Sequence, residues 1–253
     1  MEYVRNMKKS YAILWILFLI FAAVRVMFAV PYWIVLTAVT CGLSISLLGK
    51  AGTPAKKYIS ISVIFAVLST IAYLGYQRDL KILLYGIRAG LPTFLCSLAV
   101  FSVMEKRGGY ELVSGKGKHP LAVSILIAAV SGALLSVINF FLAGEPADFK
   151  FSLWYLLLCL NPAIYEEMAC RAVFMAFCVW FAGAEMTFFQ KFTMYFMMCV
   201  PHTVAHGYPL FETIVLCVLF GLPFAVLQRK RDITAAMISH GIVDLVRFTL
   251  TGI

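Results

Sequence analysis

Residues 151–182 read FSLWYLLLCLNPAIYEEMACRAVFMAFCVWFA, an apolar run long enough to cross a bilayer with Glu166, Glu167 and Arg171 near its middle. A segment of about 20 apolar residues spans the hydrocarbon core as a helix. Ionisable groups inside such a segment are costly and rare, so they mark a functional site more often than a solvated surface. The whole chain repeats the apolar theme: 62% of its 253 residues are hydrophobic and only 13% are charged, about half the ~25% charged content of soluble domains. The expected fold is an all-α polytopic membrane helix bundle of about eight or nine transmembrane helices, with little chain left for a soluble domain.

The other apolar runs lie at about 11–29, 31–48, 58–76, 83–104, 121–143, 188–207, 210–228 and 233–250. If all nine cross, the clusters Lys50/Lys56/Lys57, Lys106/Arg107/Lys116/Lys118 and Arg229/Lys230/Arg231 share the side of the N-terminal Arg5, Lys8 and Lys9, whereas Glu145 and Asp148 fall opposite. Basic loops stay in the cytoplasm, which predicts a cytoplasmic N-terminus in a multi-pass protein of the cell membrane. The first run lacks a small-residue cleavage signature and reads as an anchor. Net charge is +9, but the cations sit in short inter-span clusters, so they report topology and no nucleic-acid partner is expected. Arg25 and Arg88, near outer helix ends, are expected to snorkel. The seven cysteines all fall inside apolar runs, a pattern that indicates neither disulfides nor a zinc knuckle. Gly108-Gly109 and Gly115–Lys118 make 105–119 the clearest flexible loop, and His119 within it reads as solvated. That loop separates a front part, residues 1–119, from a site-bearing part, residues 120–253.

Glu167 and Arg171 are i, i+4 and can neutralise each other on one helix face, which leaves Glu166 without an intrahelical partner. Such a carboxylate can face a wet cavity and serve as a general base. His240 and Asp244 are also i, i+4, so Asp244 either orients the imidazole or pairs with Arg247. His202 and His206 share a third face beside Pro201, and His206, followed by Gly207-Tyr208-Pro209, sits nearer a helix end.

These residues resemble the CPBP family of intramembrane proteases, which includes CAAX prenyl endopeptidases of the Ras-converting type and bacteriocin-processing and lysostaphin-resistance proteins. The family pattern EExxxR is met by Glu166, Glu167 and Arg171, and HxxxN or HxxxD by His240 and Asp244. The middle pattern FxxxH departs, because Met198 precedes His202, and a frame ending at His206 would start at His202. The resemblance covers about residues 120–250. It implies a protease core in which Glu166, assisted by His202, activates water, His240 and Asp244 bind the oxyanion, and Glu167 and Arg171 support them; His206 is the alternative middle histidine. It further implies a peptide or membrane-protein substrate, prenylated CAAX termini and leader peptides included, and no cofactor. The competing mechanism makes Glu166, His202 and His240 ligands of a zinc ion. No HExxH is present. Two other classes place similar residues in a membrane: a non-catalytic scaffold or immunity protein, and a proton-coupled transporter, which favours repeats not visible in this chain.

Overall fold

The computed structural model describes residues 2–27, 32–76, 79–144 and 148–251, with the side chains of 2–10, 25–27 and 80 excepted. The side chains of Arg5, Lys8, Lys9 and Arg25, and the whole of Glu145, all used in the topology reading, lie outside what is described. Among the described residues there is helix and no strand: α1 Glu2–Met27, α2 Tyr32–Ala51, α3 Lys56–Ile71 with a 3₁₀ turn Ala72–Gly75, α4 Leu83–Arg107, α5 Pro120–Ala143, α6 Leu153–Leu158, α7 Val173–Ala182, α8 Phe188–Ala205, α9 Leu210–Leu216, α10 Leu222–Lys230 and α11 Ile233–Thr251. Among the described residues six helical stretches are long and apolar enough to cross a membrane, so this is a multi-pass membrane protein.

Two joints depart from regular α geometry. Asn161–Ala172 between α6 and α7, and Cys217–Gly221 between α9 and α10, are wound as wide π-helical turns. Apolar periodicity alone predicts a continuous α-helix over 151–182. The π winding instead covers the Glu166/Glu167/Arg171 stretch, in keeping with the tendency of such turns to occur at functional sites.

Hydroxyls within the spans return to their own backbone. Ser44, Ser62, Thr93 and Ser136 donate to the carbonyls of Thr40, Tyr58, Ala89 and Gly132 at 2.7–2.8 Å, which satisfies them without water. Small residues let helices approach. A Cβ on Gly86 would strike the Thr70 carbonyl and one on Gly132 would meet Ile242 at 2.9 Å, which ties α4 to α3 and α5 to α11. Leu126, Leu134 and Phe141 of α5 point outward, 63–76% exposed, as lipid-facing residues do. One buried cluster runs from Leu14 of α1 through Val100 and Phe101 of α4 to Met168, Met198 and Met237, so front and back parts pack on a common core. All seven cysteines are free.

Candidate active site

The π-wound segment presents both of its carboxylates inward, every residue from Asn161 to Ala172 being buried. Burying three charges within six residues costs several kcal/mol per unpaired ion, so partners must be supplied. Arg171 pairs with Glu167 Oε1. The second oxygen of Glu167 accepts from Gln228 Nε2 at 2.6 Å, and the same amide also reaches the Glu167 carbonyl at 3.1 Å. Glu167 is thereby locked, and Glu166 is turned toward α8 and α11.

Donor counting fixes the imidazoles. A guanidinium can only donate, so Arg171 Nη2, 2.8 Å from His202 Nδ1, makes that nitrogen an acceptor. The His202 proton therefore sits on Nε2, which donates to Glu166 Oε2 at 2.7 Å. Around His240 the logic is reversed: Nδ1 donates to Glu167 Oε1 at 2.7 Å, so the 3.4 Å approach of Arg171 Nη1 to the same nitrogen is a contact between two donors. His240 Nε2 then faces Asp244 Oδ2 at 3.5 Å and Glu166 Oε2 at 3.9 Å. No Asp244–Arg247 ion pair forms among the described residues; Asp244 turns to the imidazole. Phe224 stacks on His240 with ring centroids 4.4 Å apart and also underlies the Arg171 guanidinium.

Glu166, His202, His240 and Asp244 all line one cavity of about 230 Å³, together with His206, Tyr76 and Tyr208. His206 is exposed, with its ring edge-on to His202 at 5.0 Å and stacked near Tyr208. A second, larger groove of about 970 Å³, walled by α2 and α4 through Ile34, Ala38, Ile87 and Leu91, meets the first at Tyr76, Asn161, Glu166 and His206. Arg88, expected to snorkel, is exposed on the wall of this groove. His119 is exposed, as read from the loop.

The geometry also bears on a metal. Glu166, His202 and His206 offer ligand atoms within 4.8 Å of one another, a different trio from Glu166, His202 and His240. His202 does not fit either set: Nε2 carries a proton toward Glu166 while Arg171 occupies Nδ1, so a metal on Nε2 would leave two donors facing each other or need an imidazolate. Its 2.7 Å separation from Glu166 Oε2 is a hydrogen-bond length, shorter than the ~3.3 Å between two ligands at ~2.0 Å on one tetrahedral zinc.

Sequence reasoning passed over four contributors. Gln228 clamps Glu167 from a position next to a basic cluster, where a glutamine looks like an ordinary helix end. Asn161 is buried with its side-chain oxygen unpartnered among the described residues, at the junction of the two cavities; its signal was a polar residue before Pro162 in an apolar run. Trp33, in the front part, packs edge-on to His202 and His206 at 5.4 and 5.1 Å. Tyr76 had no signal beyond its place at the end of a span.

No curated protein and no solved structure is significantly similar to the chain. A family model does match, over residues 148–246, and its description is Rce1-like, type II CAAX prenyl endopeptidase. The matched stretch begins at the loop before α6 and ends within α11, so it contains Glu166, Glu167, Arg171, His202, His240 and Asp244. Residues 148–246 are a domain of the Rce1-like type II CAAX prenyl endopeptidase family.

Proposed function

We propose that the chain is an intramembrane endopeptidase in which Glu166 activates the attacking water, residues 120–253 carry the chemistry, and residues 1–119 supply the wall of the substrate groove. The observation that carries this reading is Glu166 itself: a buried carboxylate held by His202 at 2.7 Å and open to a cavity that His240 and Asp244 also line. One lone pair of Oε2 is used by His202; the remaining acceptor sites are free for water. Glu166 takes a proton as the water oxygen attacks the scissile carbonyl carbon, giving a tetrahedral oxyanion. Collapse breaks the C–N bond, and the proton held by Glu166 passes to the leaving amine. The products are one carboxylic acid and one amine, the acid then passing its proton to the amine or to water, with no covalent enzyme intermediate.

His202, as a neutral donor, orients Glu166. His240 donates a hydrogen bond from Nδ1 to Glu167, and when Nε2 is protonated as well it donates to the oxyanion, the Asp244 carboxylate at 3.5 Å neutralising the cation. Glu167, Arg171 and Gln228 position these groups without touching substrate. The adjoining apolar groove suits a membrane-associated segment of the substrate, lipid-modified or helical. CAAX-type and leader-peptide processing are both compatible with it.

The reading is metal-free, supported by the donor that Arg171 aims at His202 Nδ1. The test is cleavage of a panel of farnesylated CAAX peptides, leader peptides and transmembrane segments by purified, detergent-solubilised protein, before and after exhaustive chelation. We expect hydrolysis of at least one class at a rate unchanged by chelation, with less than one zinc per chain. Activity lost on chelation and restored by stoichiometric zinc would replace the glutamate mechanism with a metalloprotease one.

A further inference from the structure

The two ends of the bundle differ in charge and in access to the cavity, and hydrogen bonds identify which loops lie at which end. At one end Ser102 Oγ donates to the Gly52 carbonyl, and the Ala55 N–H donates to Glu105 at 2.7 Å. There too Arg229 binds the carbonyls of Gly109 and Ala184, and the N–H groups of Ile233 and Thr234 donate to the carbonyls of Glu111 and Leu112 at 3.1 and 3.0 Å. These bonds gather on a single face the loops that carry Lys50, Lys56 and Lys57, Lys106 and Arg107, Lys116 and Lys118, and Arg229 to Arg231. At the opposite end the N–H groups of Asp148 and Lys150 donate to the carbonyls of Leu250 and Thr249, each at 2.8 Å. That end is nearly balanced among the described residues, Lys81, Arg88, Lys150 and Arg247 standing against Asp79, Asp148 and Glu212.

Of the two ends the catalytic cavity reaches the second, and the groove it joins between α2 and α4, lined by Ile34, Ala38, Ile87 and Leu91, lies in that same half of the bundle. The mouth of the cavity is built from Tyr76, Asn139, His206, Tyr208, Arg247 and Phe248, which lie at the ends of α3, α5, α8 and α11 nearest Asp148 and Leu250. Toward the basic face the cavity stops at Arg171 and Phe224, beneath Gln228 and the strap of loop 108–119. The pocket that does open on the basic face, lined by Ala184, Lys191 and Arg229, shares no residue with the catalytic one. Arg247 is exposed at the mouth and forms no ion pair or side-chain hydrogen bond among the described residues.

We propose that the cavity is entered from the extracytoplasmic face, so that the scissile segment belongs to a peptide presented outside the cell membrane, an exported chain or the outer portion of a membrane-anchored one. The warrant is the combination of the two observations: basic loops are retained in the cytoplasm, and the site opens at the end that lacks them. A carboxyl-terminal segment that stays in the cytoplasm would meet the strapped, cationic face instead. What passes through the mouth rests on the endopeptidase reading; the direction in which it opens does not.

The experiment is labelling of single-cysteine additions with a membrane-impermeant maleimide, using the full chain in the membrane of intact cells and then in lysed cells, with the parent chain as blank. Arg247→Cys reports the cavity mouth, Asp148→Cys the outer loop and Lys116→Cys the basic face. We expect Arg247→Cys and Asp148→Cys to label fully in intact cells and Lys116→Cys to gain at least tenfold on lysis. Labelling of Lys116→Cys in intact cells, or of Arg247→Cys or Asp148→Cys only after lysis, overturns the proposal. Lys150→Cys replaces Asp148→Cys if the latter accumulates poorly. Because labelling needs no turnover, failure of the protease reading shows separately, as the absence of any cleavage by the parent chain that Glu166→Gln abolishes.

Discussion

Two buried carboxylate networks sit in the back part of the chain, and they differ in what surrounds them. Asp232, fully buried, accepts from the Ser114 N–H at 2.9 Å, the Ala235 N–H at 2.7 Å and the Ser124 hydroxyl, with Arg231 alongside. It caps the first turn of α11 and fastens loop 108–119 to it. Its hydrogen-bond donors are backbone and hydroxyl groups, with no imidazole among them and Arg231 adding an ion pair at 3.5 Å, and the residue lines none of the cavities described above. The Glu166 network draws instead on imidazoles and a guanidinium, leaves Asn161 Oδ1, Arg171 Nε and Gln228 Oε1 unpartnered among the described residues, and borders water-sized space. Full satisfaction suits a fastener, whereas spare acceptors beside titratable rings suit a site that must accommodate a reacting water.

The sharpest break would come from Arg171→Ala. It strands Glu167 as an uncompensated buried charge, which costs about 3–5 kcal/mol, so we expect near-complete loss of folded protein in detergent-resistant size-exclusion profiles. His202→Ala and His240→Ala come next, each lowering the cleavage rate on the order of 100-fold or more at unchanged folded yield. A larger loss of yield than of rate would move these histidines into the structural network. Gln228→Ala frees one oxygen of Glu167 and removes a buried hydrogen bond, a cost of about 1–3 kcal/mol in thermal unfolding, with a smaller effect on rate than either histidine. The mildest is His206→Ala, expected to keep the rate within about threefold because the ring lies at the exposed mouth and, among the described residues, makes ring contacts to Trp33, His202 and Tyr208 and no direct bond to Glu166. A loss like that of His202 would make His206 the middle histidine.

Much of this was legible in the sequence for a physical reason: the pairs Glu167/Arg171 and His240/Asp244 lie four residues apart, and that spacing brings side chains together whatever the tertiary fold does. The spans were equally legible, since lipid demands long apolar segments. The rest depends on contacts between distant helices. Gln228 lies 61 residues from Glu167 and the Thr37 hydroxyl, 2.8 Å from that of Tyr165, is 128 residues away; no local pattern pairs them. The π winding escaped because apolar periodicity over a few turns does not separate a wide turn from an α-helical one. The front part read only as hydrophobic, yet it places Trp33 against His202 of α8 and His206 just beyond its end, and it walls the larger groove.

The most direct measurement sets Glu166→Gln beside Asp232→Asn in the same purified preparation, reading both folded yield and cleavage of a peptide that the parent chain hydrolyses. The account predicts opposite outcomes. Glu166→Gln keeps the folded yield and loses on the order of 100-fold or more in rate, whereas Asp232→Asn lowers the thermal midpoint and leaves the rate per folded molecule unchanged. Undiminished cleavage by folded Glu166→Gln would contradict the assignment of Glu166 as the base that activates water.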